Sequence, residues 1–176
     1  MRKKRECILG LDLSLRAAAG AVLRPDWQPG DWDIPTHVAG YPIEAANRSP
    51  EASAQRLWFI AEELLAFAKE HNVTSVFVED AAYGLAGRSG VVLAELAGAV
   101  KYAFRARLKL VVVPVNASTV RKYFLGKLPR KNHAAAVYDA LTSIGCPLKT
   151  SDEKDAFIVA NYGRTELGLP GVTVAC

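Results

Sequence analysis

Cysteine is scarce in this chain: Cys7, Cys146 and Cys176 are all it has, an odd number, widely spaced and without a Cys-x-x-Cys pair. That pattern suggests neither a disulfide framework nor a zinc site, and a reducing cytosol is the simplest compartment for it. Long apolar runs are missing as well. No stretch approaches the roughly 20 residues that span a bilayer. The basic start Arg2-Lys-Lys-Arg5 leads into a short run flanked by Glu6 and Asp12, not into the apolar core of a signal peptide. A soluble, unexported protein without a membrane partner is therefore expected. His37, His71 and His133 do not cluster in sequence, so histidine chemistry has no visible centre. No internal repeat or linker divides the chain.

What is present suits one domain, residues 1–176, with a real core: 176 residues, 51% of them apolar. The formal charge, 22 basic minus 18 acidic residues or +4, is mild, but it is unevenly distributed. Lys101, Arg105, Arg107 and Lys109 cluster, and Arg121, Lys122, Lys127, Arg130 and Lys131 follow one another with no acid between them. Such runs are often no more than solvated faces, but the second favours a polyanionic partner.

The periodicities predict strands at 7–13, 18–23 and 36–43, the last weakened by Pro42, with a long irregular loop at 24–35 carrying prolines, Trp27 and Trp32. Ser49-Pro50 is an N-cap followed by proline at the first helical position, and Leu57, Ile60, Leu64 and Phe67 keep helical spacing to His71. A strand at 74–79, a helix at 90–105 and a strand at 110–115 follow. Asn116 then caps a helix at 117–124. Beyond a basic loop at 126–131 a helix runs to about 144, and Thr150 or Ser151 caps a last helix to 162, with Thr150-x-x-Glu153 at capping-box spacing. Three strands in a row and then alternating strands and helices predict a mixed five-stranded sheet with an antiparallel three-strand start and helices on both faces, the ribonuclease H-like order.

Four carboxylates stand out in that frame. Asp12 ends the first strand and Glu79 the fourth, at the carboxyl edge where open α/β sheets bind ligands. Asp152 and Asp155, three apart, share one face of the last helix. Acids in a first turn are favoured by the helix dipole alone, but two further acids at strand ends make an oxygen-rich site. Cutting a phosphodiester drives an anion towards a more negative transition state. Hard Mg²⁺ ions, held by a few carboxylates and substrate phosphate, offset that charge, and two of them about 3.5–4 Å apart activate the attacking water and stabilise the leaving oxygen. Asp80 and Glu153 are spares: the first points to the other face of its strand, and the second lies about 100° from Asp152 around the helix.

Taken together, Gly10-Leu-Asp12 with Gly20 downstream, Val78-Glu79, the helix at 93–104, Val113-Pro-Val-Asn-Ala-Ser-Thr-Val-Arg-Lys122 and Asp152-Glu-Lys-Asp155-Ala-Phe resemble the RuvC-type Holliday-junction resolvases over nearly the whole chain. Leu13-Ser14 stands where many members have Pro-Gly, which looks like a divergent or phage-type branch. Asp80-Ala-Ala-Tyr83 stands where they have Gln-x-Phe, so Tyr83 is the position to compare with the aromatic that wedges into the junction. The resemblance implies a cytoplasmic, Mg²⁺-dependent endonuclease (Mn²⁺ substituting) that resolves four-way DNA junctions as a homodimer. It makes Asp12 the bridging metal ligand, with Glu79, Asp152 and Asp155 completing the catalytic set.

Substrate contacts are expected from Lys122, Lys127, Arg130 and Lys131 on phosphates. Arg121 joins them or pairs with an acid, and Ser14, Arg16, Tyr83, Arg88 and Ser89 lie on loops beside the site. On the 90–105 helix, Leu93, Leu96, Val100 and Phe104 form a stripe for the sheet. Ala94, Gly98 and Tyr102 form a second face that suits a twin or ordinary packing. Competing readings are a broader branched-DNA or structured-RNA nuclease, a non-catalytic junction-binding dimer, and a sugar-kinase or actin-like nucleotide lobe. The last rests on a loose likeness of residues 12–20 to a phosphate loop, and this length leaves room for only one of the two lobes such proteins close around ATP.

Overall fold

The computed structural model describes residues 6–40, 49–80 and 88–174, and of Arg88 and Ser89 the backbone alone. Strands Ile8–Asp12 (β1), Ala18–Leu23 (β2) and Thr36–Ala39 (β3) come first, then helix Pro50–Glu70 (α1), strand Ser75–Glu79 (β4) and helix Arg88–Leu108 (α2). Strand Val112–Val115 (β5) and helices Ala117–Leu125 (α3), His133–Ser143 (α4) and Ser151–Glu166 (α5) complete the order. The sheet runs β3-β2-β1-β4-β5. β1 pairs antiparallel with β2 and β2 with β3, whereas β1 with β4 and β4 with β5 are parallel. This is the ribonuclease H-like arrangement that the order of elements predicts.

Both faces of the sheet are covered, which is why its central strands are apolar at nearly every position. Leu9, Leu11, Val76 and Val78 pack towards α1 and α2. Ile8 and Phe77 pack the other way, towards α3, α4 and α5. The caps read from the sequence are in place. The Ser49 hydroxyl accepts from Ala52 N at 3.1 Å, Asn116 Oδ1 accepts from the amides of Ser118 and Thr119, and Thr150 with Glu153 closes a capping box.

Several ends differ from expectation. β5 starts at Val112 instead of 110, because Lys109 turns the chain with φ 61° and Leu110 N still donates to Phe104 O in the last turns of α2. α5 runs past 162 to Glu166 and stops at Gly168, with φ 70° and Pro170 beyond it. α2 starts at Arg88, so Arg88 and Ser89 open a helix and do not lie in a loop. Residues 41–43 of the third expected strand lie outside the described residues.

The irregular 24–35 loop is fastened onto α5. Arg164, buried on α5, donates to the carbonyls of Arg24, Trp27 and Pro170 at 2.9–3.1 Å, and its guanidinium lies 5.1 Å from the centre of the Trp27 ring. Trp27 and Trp32 both pack against Phe157. Among the described residues no helix is long and apolar enough to cross a membrane.

Candidate functional site

Side-chain alternation aims the two strand-end acids the same way. A Cβ on Gly10 would collide with the α5 backbone at Ala156 and Ala160, so Gly10 faces α5 at van der Waals contact, and Asp12, two residues on, faces the same side. A Cβ on Gly163 would meet the ring of Phe77, which puts Phe77 and therefore Glu79 on that side too. On α5 the small residues Ala156, Ala160 and Gly163 lie along one stripe, which lets the helix approach the sheet closely. Continued one turn beyond the sheet edge, the stripe reaches Asp152, with Asp155 beside it. The four acids thus meet at one place: the ends of two adjacent parallel strands and the first turn of the helix crossing them.

At this separation the acids act on one another. Asp12 is pushed from 3.8 up to about 8, by burial first and then by the charges of Asp155, Glu79 and Asp152. Glu79 and Asp155 are also raised by burial, which the nearby Arg121 guanidinium partly offsets. Arg121, on α3, sets Nη2 3.4 Å from both carboxylate oxygens of Glu79 and 3.6 Å from Asp155 Oδ1. Tyr138, on α4, donates to Asp155 Oδ2 at 2.9 Å. Asp155 Oδ1 and Arg121 Nε are buried and make no hydrogen bond. As the side chains stand, no three Asp, Glu, His or Cys groups among the described residues converge tightly enough to hold a metal ion.

The other expected contact residues fall into groups. Lys122, Lys127, Arg130 and Lys131 are exposed on α3 and the α3–α4 connection. Arg121, one residue away from Lys122, is instead half-buried among the acids. The Ser14 hydroxyl accepts from the amides of Arg16 and Ala17 and so closes the β1–β2 turn, with the Arg16 side chain exposed. Tyr83 lies outside the described residues, and Arg88 and Ser89 occupy the first turn of α2. Glu153 accepts from Thr150 and Thr36, a structural post away from the acid cluster.

Sequence reasoning missed Tyr138. Nothing in the spacing of α4 distinguishes it from a residue packing on the core, and only the docking of α4 against α5 brings it to Asp155. On α2, Leu96, Val100 and Phe104 are fully buried against the sheet, while Ala94, Gly98 and Tyr102 are exposed; Ala94 and Gly98 line a pocket that Leu13, Val78 and Glu79 share, and Tyr102 is 77% accessible.

No protein-family model matches the sequence, and no curated protein does. Solved structures match by fold. RuvC of Thermus thermophilus superposes with a TM-score of 0.65 at 15% identity, over 92% of this chain and 96% of that one. The T. thermophilus RuvC complex with Holliday junction substrate gives 0.66 at 13%, over 93% and 96%. The yeast mitochondrial Holliday junction resolvase Ydc2 gives 0.56 at 12%, over 89% and 76%. The likeness establishes a ribonuclease H-like fold of the kind these resolvases share.

Proposed function

We propose that the chain is a Mg²⁺-dependent, structure-selective endonuclease that resolves four-way DNA junctions by paired phosphodiester hydrolysis, working as a homodimer of one nuclease domain per chain. The observation that carries this reading is the meeting of Asp12, Glu79, Asp152 and Asp155 at one sheet edge of a resolvase-like fold, and exposed Lys122, Lys127, Arg130 and Lys131 on α3 and the loop after it support it. The donor set suits a hard divalent cation: all carboxylate, mutually repelling, with one buried oxygen, Asp155 Oδ1, lacking a hydrogen bond. Bound there, such an ion would screen the phosphate and lower the pKa of an attacking water.

The chain's own residues would divide the work as follows. Asp12, whose carboxyl feels the charges of the other three acids, would hold the ion together with Glu79, Asp152 and Asp155. Lys122, Lys127, Arg130 and Lys131 grip phosphates flanking the cut and set register without reading sequence. Ser14 and Arg16, in the turn that follows Asp12, would add junction contacts, and the resemblance assigns the same role to Tyr83, Arg88 and Ser89. The exposed Ala94–Gly98–Tyr102 face of α2 receives the twin subunit, and a two-fold dimer places one site on each of two opposed strands.

Asp12→Asn tests the reading. It abolishes cutting while junction binding in EDTA persists, and retained cutting would overturn the assignment. One observation favours a second reading, a junction-holding protein with structural acids: Arg121 already pairs with two of the four. That protein would bind junctions and never nick them.

A further inference from the structure

We infer that Arg121 is the resident counter-cation of the acid cluster: it holds the place of a divalent ion between Glu79 and Asp155, and it yields that place when the ion binds, freeing its guanidinium for a substrate phosphate. The inference rests on the metal-nuclease reading above and adds to it an exchange between two cations within one site.

Three features of the pairing support it. Arg121 reaches both carboxylates with a single nitrogen at 3.4–3.6 Å, whereas a strong guanidinium–carboxylate fork closes to roughly 2.7–2.9 Å through two. The contact is therefore loose although the side chains are only 11–19% exposed. Both partners are left incomplete, since Arg121 Nε and Asp155 Oδ1 are buried without hydrogen bonds. A divalent ion on Asp155 Oδ1 and a phosphate on the Arg121 fork would satisfy both atoms at once, and no protein group within the cluster does so. Finally, the charges do not balance. One guanidinium, paired with Glu79 and Asp155, stands among four acids, so even with Asp12 protonated the acids outnumber the cation and leave room for a second one.

The backbone permits the exchange without rearrangement. Asn116 caps α3, and Val120, Phe124 and Leu125 bury its inner face, so the helix is fixed while the Arg121 side chain moves. Lys122 is exposed immediately beside it, so the released guanidinium enters a surface already suited to DNA phosphates.

The test is Mn²⁺ binding to the full-length, metal-stripped protein without DNA, by calorimetry, for wild type, Arg121→Gln and Arg121→Lys. If the guanidinium occupies the site most of the time, Arg121→Gln binds Mn²⁺ on the order of tenfold more tightly, because apparent affinity scales with the fraction of open site. Arg121→Lys, which retains a cation, stays nearer to wild type. A second readout follows the released side chain. In Ca²⁺, Arg121→Gln lowers the salt slope of junction binding by about 1, the value of a single phosphate contact, whereas in EDTA it leaves the slope unchanged. Equal or weaker Mn²⁺ binding by Arg121→Gln would overturn the exchange and leave the nuclease reading intact. A wild type that binds no divalent ion at all would overturn the nuclease reading as well.

Discussion

The Tyr138 hydroxyl donates to Asp155 Oδ2 at 2.9 Å, joining α4 to the acid-bearing first turn of α5. This bond fixes the carboxylate so that its other oxygen, Oδ1, faces the cluster. Burial, and then Asp155 itself, raise the pKa of the phenol, so it remains a donor throughout the working pH range. Outer partners of this kind typically carry 10–100-fold in metal affinity. Tyr138→Phe is accordingly expected to raise the Mg²⁺ concentration needed for half-maximal cutting about tenfold while junction binding in EDTA is unaffected. An unchanged Mg²⁺ titration would mean that Tyr138 only packs.

The raised Asp12 pKa gives the metal-free protein a characteristic pH dependence. Unfolded, Asp12 titrates near 3.8, and folded it titrates at about 8. Between these values the native state holds a proton that the unfolded chain has lost, so stability falls as pH rises through this window. In EDTA the melting temperature should drop from pH 5 to pH 8, and Asp12→Asn should reduce that drop. Identical profiles for the two proteins would show that Asp12 is not held among uncompensated charges.

Gly10 governs how closely α5 approaches β1, and through that approach how Asp155 meets Asp12. The atoms a Cβ would strike are backbone atoms of Ala156 and Ala160, which no rotamer change can move. Gly10→Ala should destabilise the fold by roughly 3 kcal/mol, the upper end for overpacking, measured by denaturant unfolding. A loss under about 0.5 kcal/mol, the scatter of neutral surface changes, would contradict the packing described here.

The exposed Lys127, Arg130 and Lys131 should act on DNA as charges alone. Replacing all three with alanine should flatten the slope of log affinity against log salt by roughly 3, about 0.9 per phosphate contact, with similar losses on junctions of different sequence. A loss confined to one sequence would indicate base reading instead.

The strand order was legible because each strand declared itself by an apolar run and α1, α3 and α5 by their caps, and because three strands preceded the first helix. Asp12 and Glu79 were legible as edge acids for the same reason: each ends its run. Element ends were harder. A left-handed Lys109 is not a residue type that announces a turn, whereas Gly168 with Pro170 was a stop signal available in the sequence. The partners within the site were the least legible. Whether Arg121 meets phosphate or carboxylate depends on where α3 docks, and the role of Tyr138 depends on a contact across 17 residues and two helices. Spacing along a chain carries no information on either.

Strand-specific cleavage of a mobile four-way DNA junction, in Mg²⁺ and in EDTA with linear duplex and flap controls, bears on the whole account. Junction resolution by a dimer predicts paired, Mg²⁺-dependent nicks on opposed strands and little cutting of the controls. Junction binding without any nick, or equal cutting of every branched form, would contradict it.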